Sequence, residues 1–101
     1  MDKLDSDLAA FVQSGDTTEW FCVFVTFFPL FNCSSLEEQK DYVSRNARNM
    51  ESSCNFCKLH EFGMMNSVSG SADSESVMKM SKMAFVKNIG LVHELEYDET
   101  L

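Results

Sequence analysis

Four cysteines and two histidines are the residues of this 101-residue chain best suited to chemistry, and one pair has a chelating spacing. Cys54 and Cys57 stand in C-N-F-C, followed by Lys58 and, three residues after the second thiol, His60. Two thiolates at C-x-x-C spacing on a tight turn can hold one Zn²⁺, and a helical turn after Cys57 would bring in His60. Cys33, on the far side of an intervening helical pattern, supplies the fourth donor of a Cys₃His shell, a closed structural zinc set. Lys58 would offset part of the charge of three thiolates, and such a clamp would contribute directly to the folding of a small domain. The expected site is therefore Cys33, Cys54, Cys57 and His60 around structural zinc. The spacing is half of a two-pair zinc pattern, and Cys22 or His93 could replace the completing ligands. The competing reading makes Cys22 and Cys33 small core hydrophobes and leaves Cys54 and Cys57 as reduced thiols. A thioredoxin-type redox role fits poorly. That motif ends a strand and opens a helix, whereas this one follows a helix and a Ser-Ser turn.

The phrase Cys54-Asn55-Phe56-Cys57-Lys58 resembles the opening of the Nanos-type zinc finger, which begins C-x-F-C. No further Cys follows Cys57, and neither that family's later ligands nor its basic RNA-contacting surface has a counterpart. No residue role is carried over from it. Catalytic patterns are missing as well: no G-x-S-x-G, P-loop or G-x-G-x-x-G occurs among the four glycines. His60 and His93 each precede a glutamate, but neighbours in sequence do not make a triad. No enzyme activity is expected.

The elements that would position these residues are organised around 20–31, WFCVFVTFFPLF. Ten of its twelve residues are apolar, and it holds the single Trp and five of the nine Phe. Asp16 and Glu19 form a capping-box pattern that would open a helix ended by Pro29. The density of aromatic and β-branched residues instead favours a strand at about 19–28, buried on both sides. Upstream, Leu4, Leu8, Phe11 and Val12 mark one face of a short helix over 4–13. Downstream, Ser35 and Glu38 form a capping box for a helix over 36–50, with Asp41 and Arg45 as an i, i+4 pair. A Cys-rich knuckle at 54–60 follows, and then the Ser- and Gly-rich stretch 66–76 reads as a flexible loop. The segment 77–89 fits a helix or a strand, and Leu91, His93, Leu95 and Tyr97 alternate as in a half-exposed strand. The fold class this predicts is α+β: a small single domain with a central apolar strand, a covering helix and a C-terminal strand. An all-α bundle is the alternative.

Composition narrows the function classes. Apolar residues make up 45% and charged residues 24%, ordinary for a globular domain. Sixteen acids against eight bases give a net charge of −8, divided evenly between the two halves. Nucleic-acid binders gain affinity through clustered Lys and Arg, so direct nucleic-acid binding is not expected. The apolar run is too short and too interrupted to span a bilayer, and the N-terminus lacks a signal-peptide pattern. The expected location is cytoplasmic or nuclear. The leading functional expectation is a non-enzymatic, acidic adaptor, inhibitor or viral accessory-type regulator. It would bind another protein, a basic one being easiest to picture, or a second copy, through Phe and Met exposed in 20–31 or 77–86. The alternatives are a zinc-stabilised binding module and an acidic mimic of nucleic acid.

Overall fold

A computed structural model describes residue 4 and residues 6–13, 20–29 and 35–92. The apolar run contributes β1 (Phe21–Phe27), a strand as its residue types require. It is not buried on both sides. Val23, Val25 and Phe27 are fully buried while Cys22, Phe24 and Thr26 between them are half-exposed.

Helix α2 (Leu36–Ser53) begins at the expected cap: Ser35 Oγ accepts the Glu38 N–H at 3.1 Å. A cap of this kind contributes about 1 kcal/mol. Val43, Ala47 and Met50 form its buried stripe, and Asp41 pairs with Arg45 at 3.0 Å on its exposed side. The helix runs past residue 50 to Ser53, and Cys54, in extended backbone, closes it.

Two stretches fold differently from what their composition predicts. The stretch 54–60 is no knuckle: Phe56–Phe62 form an edge strand, β2. The stretch 66–76 is no loop either. Ser67–Ala72 form β3, inside the sheet, and Asp73 caps α3 (Ser74–Ser81) by accepting the Ser76 N–H at 2.8 Å. A single 3₁₀ turn at Gly63–Met65 joins β2 to β3 and ends on Asn66 at φ 51°, the left-handed region that Asn tolerates. The ambiguous segment 77–89 divides into the end of α3 and the start of β4 (Val86–Leu91). The expected alternation beyond Val92 lies outside the described residues, as do residues 31–34.

The sheet order is β2-β3-β1-β4, and every neighbouring pair is antiparallel. With α2 between β1 and β2 and α3 between β3 and β4, this is the split βαβ, or ferredoxin-like, connectivity. The α+β class is as expected. One apolar cluster joins the inner residues of the sheet to Val43, Ala47 and Met50 of α2 and Val77 and Met80 of α3. The N-terminal pattern folds as α1 (Ser6–Gln13), which places fully buried Leu8 in the same cluster beside β4 and α3. Segment 77–86 is therefore mostly interior: Val77, Met80 and Val86 are buried, and Met78, Met83 and Phe85 pack against them. None of the described helices is long and apolar enough to cross a membrane.

Candidate functional site

Gly70 explains why so polar a segment as β3 sits at the centre. A Cβ at this position would lie 2.5 Å from the Cys57 carbonyl oxygen and 2.7 Å from the Phe56 ring. The Phe56 ring lies over this backbone and is itself buried. Close approach of an aromatic ring requires the residue without a side chain.

On the other face, away from the helices, β1 presents Cys22, Phe24 and Thr26. The register sets Ser71, Ser69 and Ser67 of β3 beside them, and Cys57, His60 and Phe62 of β2 beyond. Strict alternation would send Cys57 to one side and His60 and Phe62 to the other. The register shift between Lys58 and His60 adds one residue and reverses the parity, so all three share the open face. Lys58 and Glu61 then point to the helix side. There Glu61 accepts hydrogen bonds from Ser44 of α2 and from the Lys58 ammonium. These two contacts hold its carboxyl below the usual range.

The Phe24 and Phe62 ring centroids lie 5.5 Å apart, and the His60 ring is 6.2 Å from Phe62. The backbones of β1 and β2 are two strand spacings apart, about 10 Å. The rings therefore meet above β3, where Ser67 and Ser69 are buried. Ser67 Oγ donates to the Met65 carbonyl at 2.7 Å, tying the strand to the 3₁₀ turn.

That turn stands at the end of the molecule where β1 finishes and α2 begins. Gly63 O accepts from the Gln39 amide, Asn66 O accepts the Phe27 N–H at 2.7 Å, and the Tyr42 hydroxyl donates to Phe28 O at 2.8 Å. Seven large apolar side chains among the described residues are exposed, and three of them, Phe62, Met64 and Met65, belong to this turn and its N-cap. Met64 is 77% exposed and Met65 60%. Within 20–31, Trp20 and Phe28 are exposed. Sequence reasoning missed the two methionines, whose signal was Phe62-Gly63-Met64-Met65-Asn66, an apolar pair inside a turn pattern.

The expected zinc ligands are distributed differently. Cys57 and His60 share the open sheet face. Cys54 sits at the end of α2, its thiol donating to Met50 O at 3.2 Å, and burial pushes that thiol up. Cys33 lies outside the described residues. Among the described residues, no group of three or more His, Cys, Asp and Glu side chains is arranged to hold a metal ion. Cys54 borders a polar hollow of about 330 Å³ between the end of α2 and the start of α3. Glu51, Glu75 and Lys79 line it together with Ser52, Asn55 and Ser76, so both charge signs are present.

No protein-family profile, curated protein or solved structure matches this chain. The split βαβ connectivity carries many unrelated functions, so the site must speak for itself.

Proposed function

We propose that this protein is a non-enzymatic interaction module that binds another protein through its apolar end. The observation that carries the reading is the run of exposed Phe62, Met64 and Met65 at one 3₁₀ turn. Scattered single hydrophobes on a surface need no explanation, whereas a contiguous exposed group marks a docking surface. Unbranched methionines re-pack against partners of differing shape. Behind them the turn is held rigidly by Gln39, Asn66 and Ser67, so the surface is presented in a fixed place.

The test replaces Met64 and Met65 together by Ser. Proteins retained by the natural chain but not by the M64S/M65S variant are identified, purified and mixed with each form. A one-to-one complex that forms with the natural chain and weakens at least about tenfold with the variant is expected. Partners that bind both forms equally would sink the reading.

A further inference from the structure

The side chains exposed at the 3₁₀ turn carry a chemistry that docking alone does not use. A methionine thioether can take up one oxygen atom, and the sulfoxide that forms is polar where the thioether was apolar. Access of the oxidant to sulfur decides which methionines react. Six of the chain's seven methionines lie among the described residues, and the fold sorts them sharply. Met50 and Met80 are fully buried in the core, and Met78 and Met83 pack against it. Among the six, only Met64 and Met65 are exposed.

Oxidation at these two positions leaves the fold standing, because the turn is tied down without their side chains. The Gln39 amide and the Asn66 N–H, at 3.3 Å, both donate to Gly63 O. Ser67 Oγ donates to Met65 O at 2.7 Å, and the Phe27 N–H donates to Asn66 O at 2.7 Å. Oxygen added at Met50 or Met80 would instead put a polar group inside the apolar cluster, at a cost in stability. We propose that Met64 and Met65 form a reversible oxidation site, at which a hydroperoxide turns this end of the molecule from apolar to polar. A protein docked there is released, a consequence that rests on the interaction reading above. At each site the sulfur lone pair attacks one peroxide oxygen, an S–O bond forms as the O–O bond breaks, and the peroxide leaves as water or an alcohol. Sulfur gives up two electrons and the peroxide gains them. Methionine sulfoxide reductases reverse the step: the oxygen leaves as water while two of their thiols become a disulfide.

The test exposes the folded full chain to limiting hydrogen peroxide and then to dithiothreitol. The dithiol reverses disulfides and sulfenic acid at cysteines such as the exposed Cys57 but leaves methionine sulfoxide in place. Peptide mass spectrometry should show Met64 and Met65 taking up oxygen at least about tenfold faster than Met50 and Met80. The treated chain should leave a phenyl-agarose column earlier than the untreated one, with its urea unfolding midpoint unchanged. A methionine sulfoxide reductase should restore the retention. M64L/M65L keeps the apolar bulk without the sulfur, so its elution should not respond to peroxide. A partner purified as above should bind the oxidised natural chain at least about tenfold more weakly, and M64L/M65L equally before and after treatment. Oxidation spread evenly over the methionines, unchanged elution, a lowered unfolding midpoint, or a peroxide effect that persists in M64L/M65L would each overturn the assignment. A partner that loses M64S/M65S but tolerates the sulfoxides would defeat this inference and leave the interaction reading standing. Partners indifferent to M64S/M65S would instead remove the interaction reading, while selective oxygen uptake and earlier elution would still support the oxidation site.

Discussion

The two faces of the sheet are built from the same strands and do different work. On the helix side, Val23, Val25, Phe27, Val68, Phe56, Val86 and Ile89 are buried against α2 and α3. On the other side lie three serines of β3 with Cys22, Phe24, Thr26, Cys57, His60 and Phe62, and the Phe24, His60 and Phe62 rings form a thin layer of their own. One face supplies most of the apolar burial that opposes chain entropy. The other leads to the exposed methionines. A single strand can serve both because its side chains alternate, and on β2 one inserted residue is enough to choose which side chains go where.

Two phenylalanines test this division most sharply. Phe27 is 1% exposed, between Tyr42 and Phe85 on the helix side, whereas Phe62 is 36% exposed on the open side. Phe27→Ala is expected to cost about 3–5 kcal/mol, a large share of a small domain's stability. Phe62→Ala should cost roughly 1 kcal/mol, since part of the ring is already in water. Urea unfolding midpoints measure both, and equal losses would erase the distinction between the faces.

Gly70 gives a medium effect with an informative sign. In an open strand position Gly→Ala helps by reducing chain entropy. Here the added methyl would meet the Cys57 carbonyl and the Phe56 ring, so Gly70→Ala should destabilise by about 1–3 kcal/mol. A stabilised variant would mean that Phe56 moves freely and that the serine-rich strand is not constrained from the helix side.

Asp73 links the sheet to α3 through Ser76 and through the Asn55 amide at 3.1 Å. Burial raises its carboxyl, but the hydrogen bonds from Ser76 and Asn55 outweigh it and the group titrates below its ordinary value. A depressed value in the folded state stabilises at neutral pH, and that stability is lost as pH falls below the unfolded value of about 3.9. Asp73→Ala should therefore cost about 1–2 kcal/mol at pH 7, and the gap from the natural chain should narrow in unfolding curves taken below about pH 4. A gap that stays constant down to pH 3 would assign the loss to packing alone.

What could be read in the sequence follows from where single residues carry their own reasons. Ser35 with Glu38, and Val43, Ala47 and Met50 at helical spacing, announce α2 because cap and stripe are both local. The β-branched and aromatic residues of 21–27 announce a strand. SVSGSA at 67–72 announces nothing. Its small residues answer to Phe56 on one side and to the Phe24–Phe62 pair on the other, partners distant in sequence. Composition alone therefore made a central strand look like a linker. The C-x-x-C spacing suggested a knuckle for a related reason. Cys57 and Phe56 belong to a strand whose pairing with Ser71 and Ala72 no local pattern reveals. The exposed methionines escaped notice because an apolar pair in a turn looks the same whether the turn is covered or bare.

The smallest expected change in stability is the one that most cleanly separates the two regions. Met64 and Met65 make the surface without filling the interior, so M64S/M65S should alter the unfolding free energy by no more than about 0.5 kcal/mol per site and leave the denaturant slope unchanged. The aromatic layer beneath, Phe24 with Phe62, should likewise persist in the near-ultraviolet signal of Phe. If the double variant instead unfolds several kcal/mol more easily, the methionines are an outlying part of the core and their exposure is incidental. With stability intact, any loss of partner binding belongs to the surface itself, because the strands, the caps and the turn that present it are all still in place.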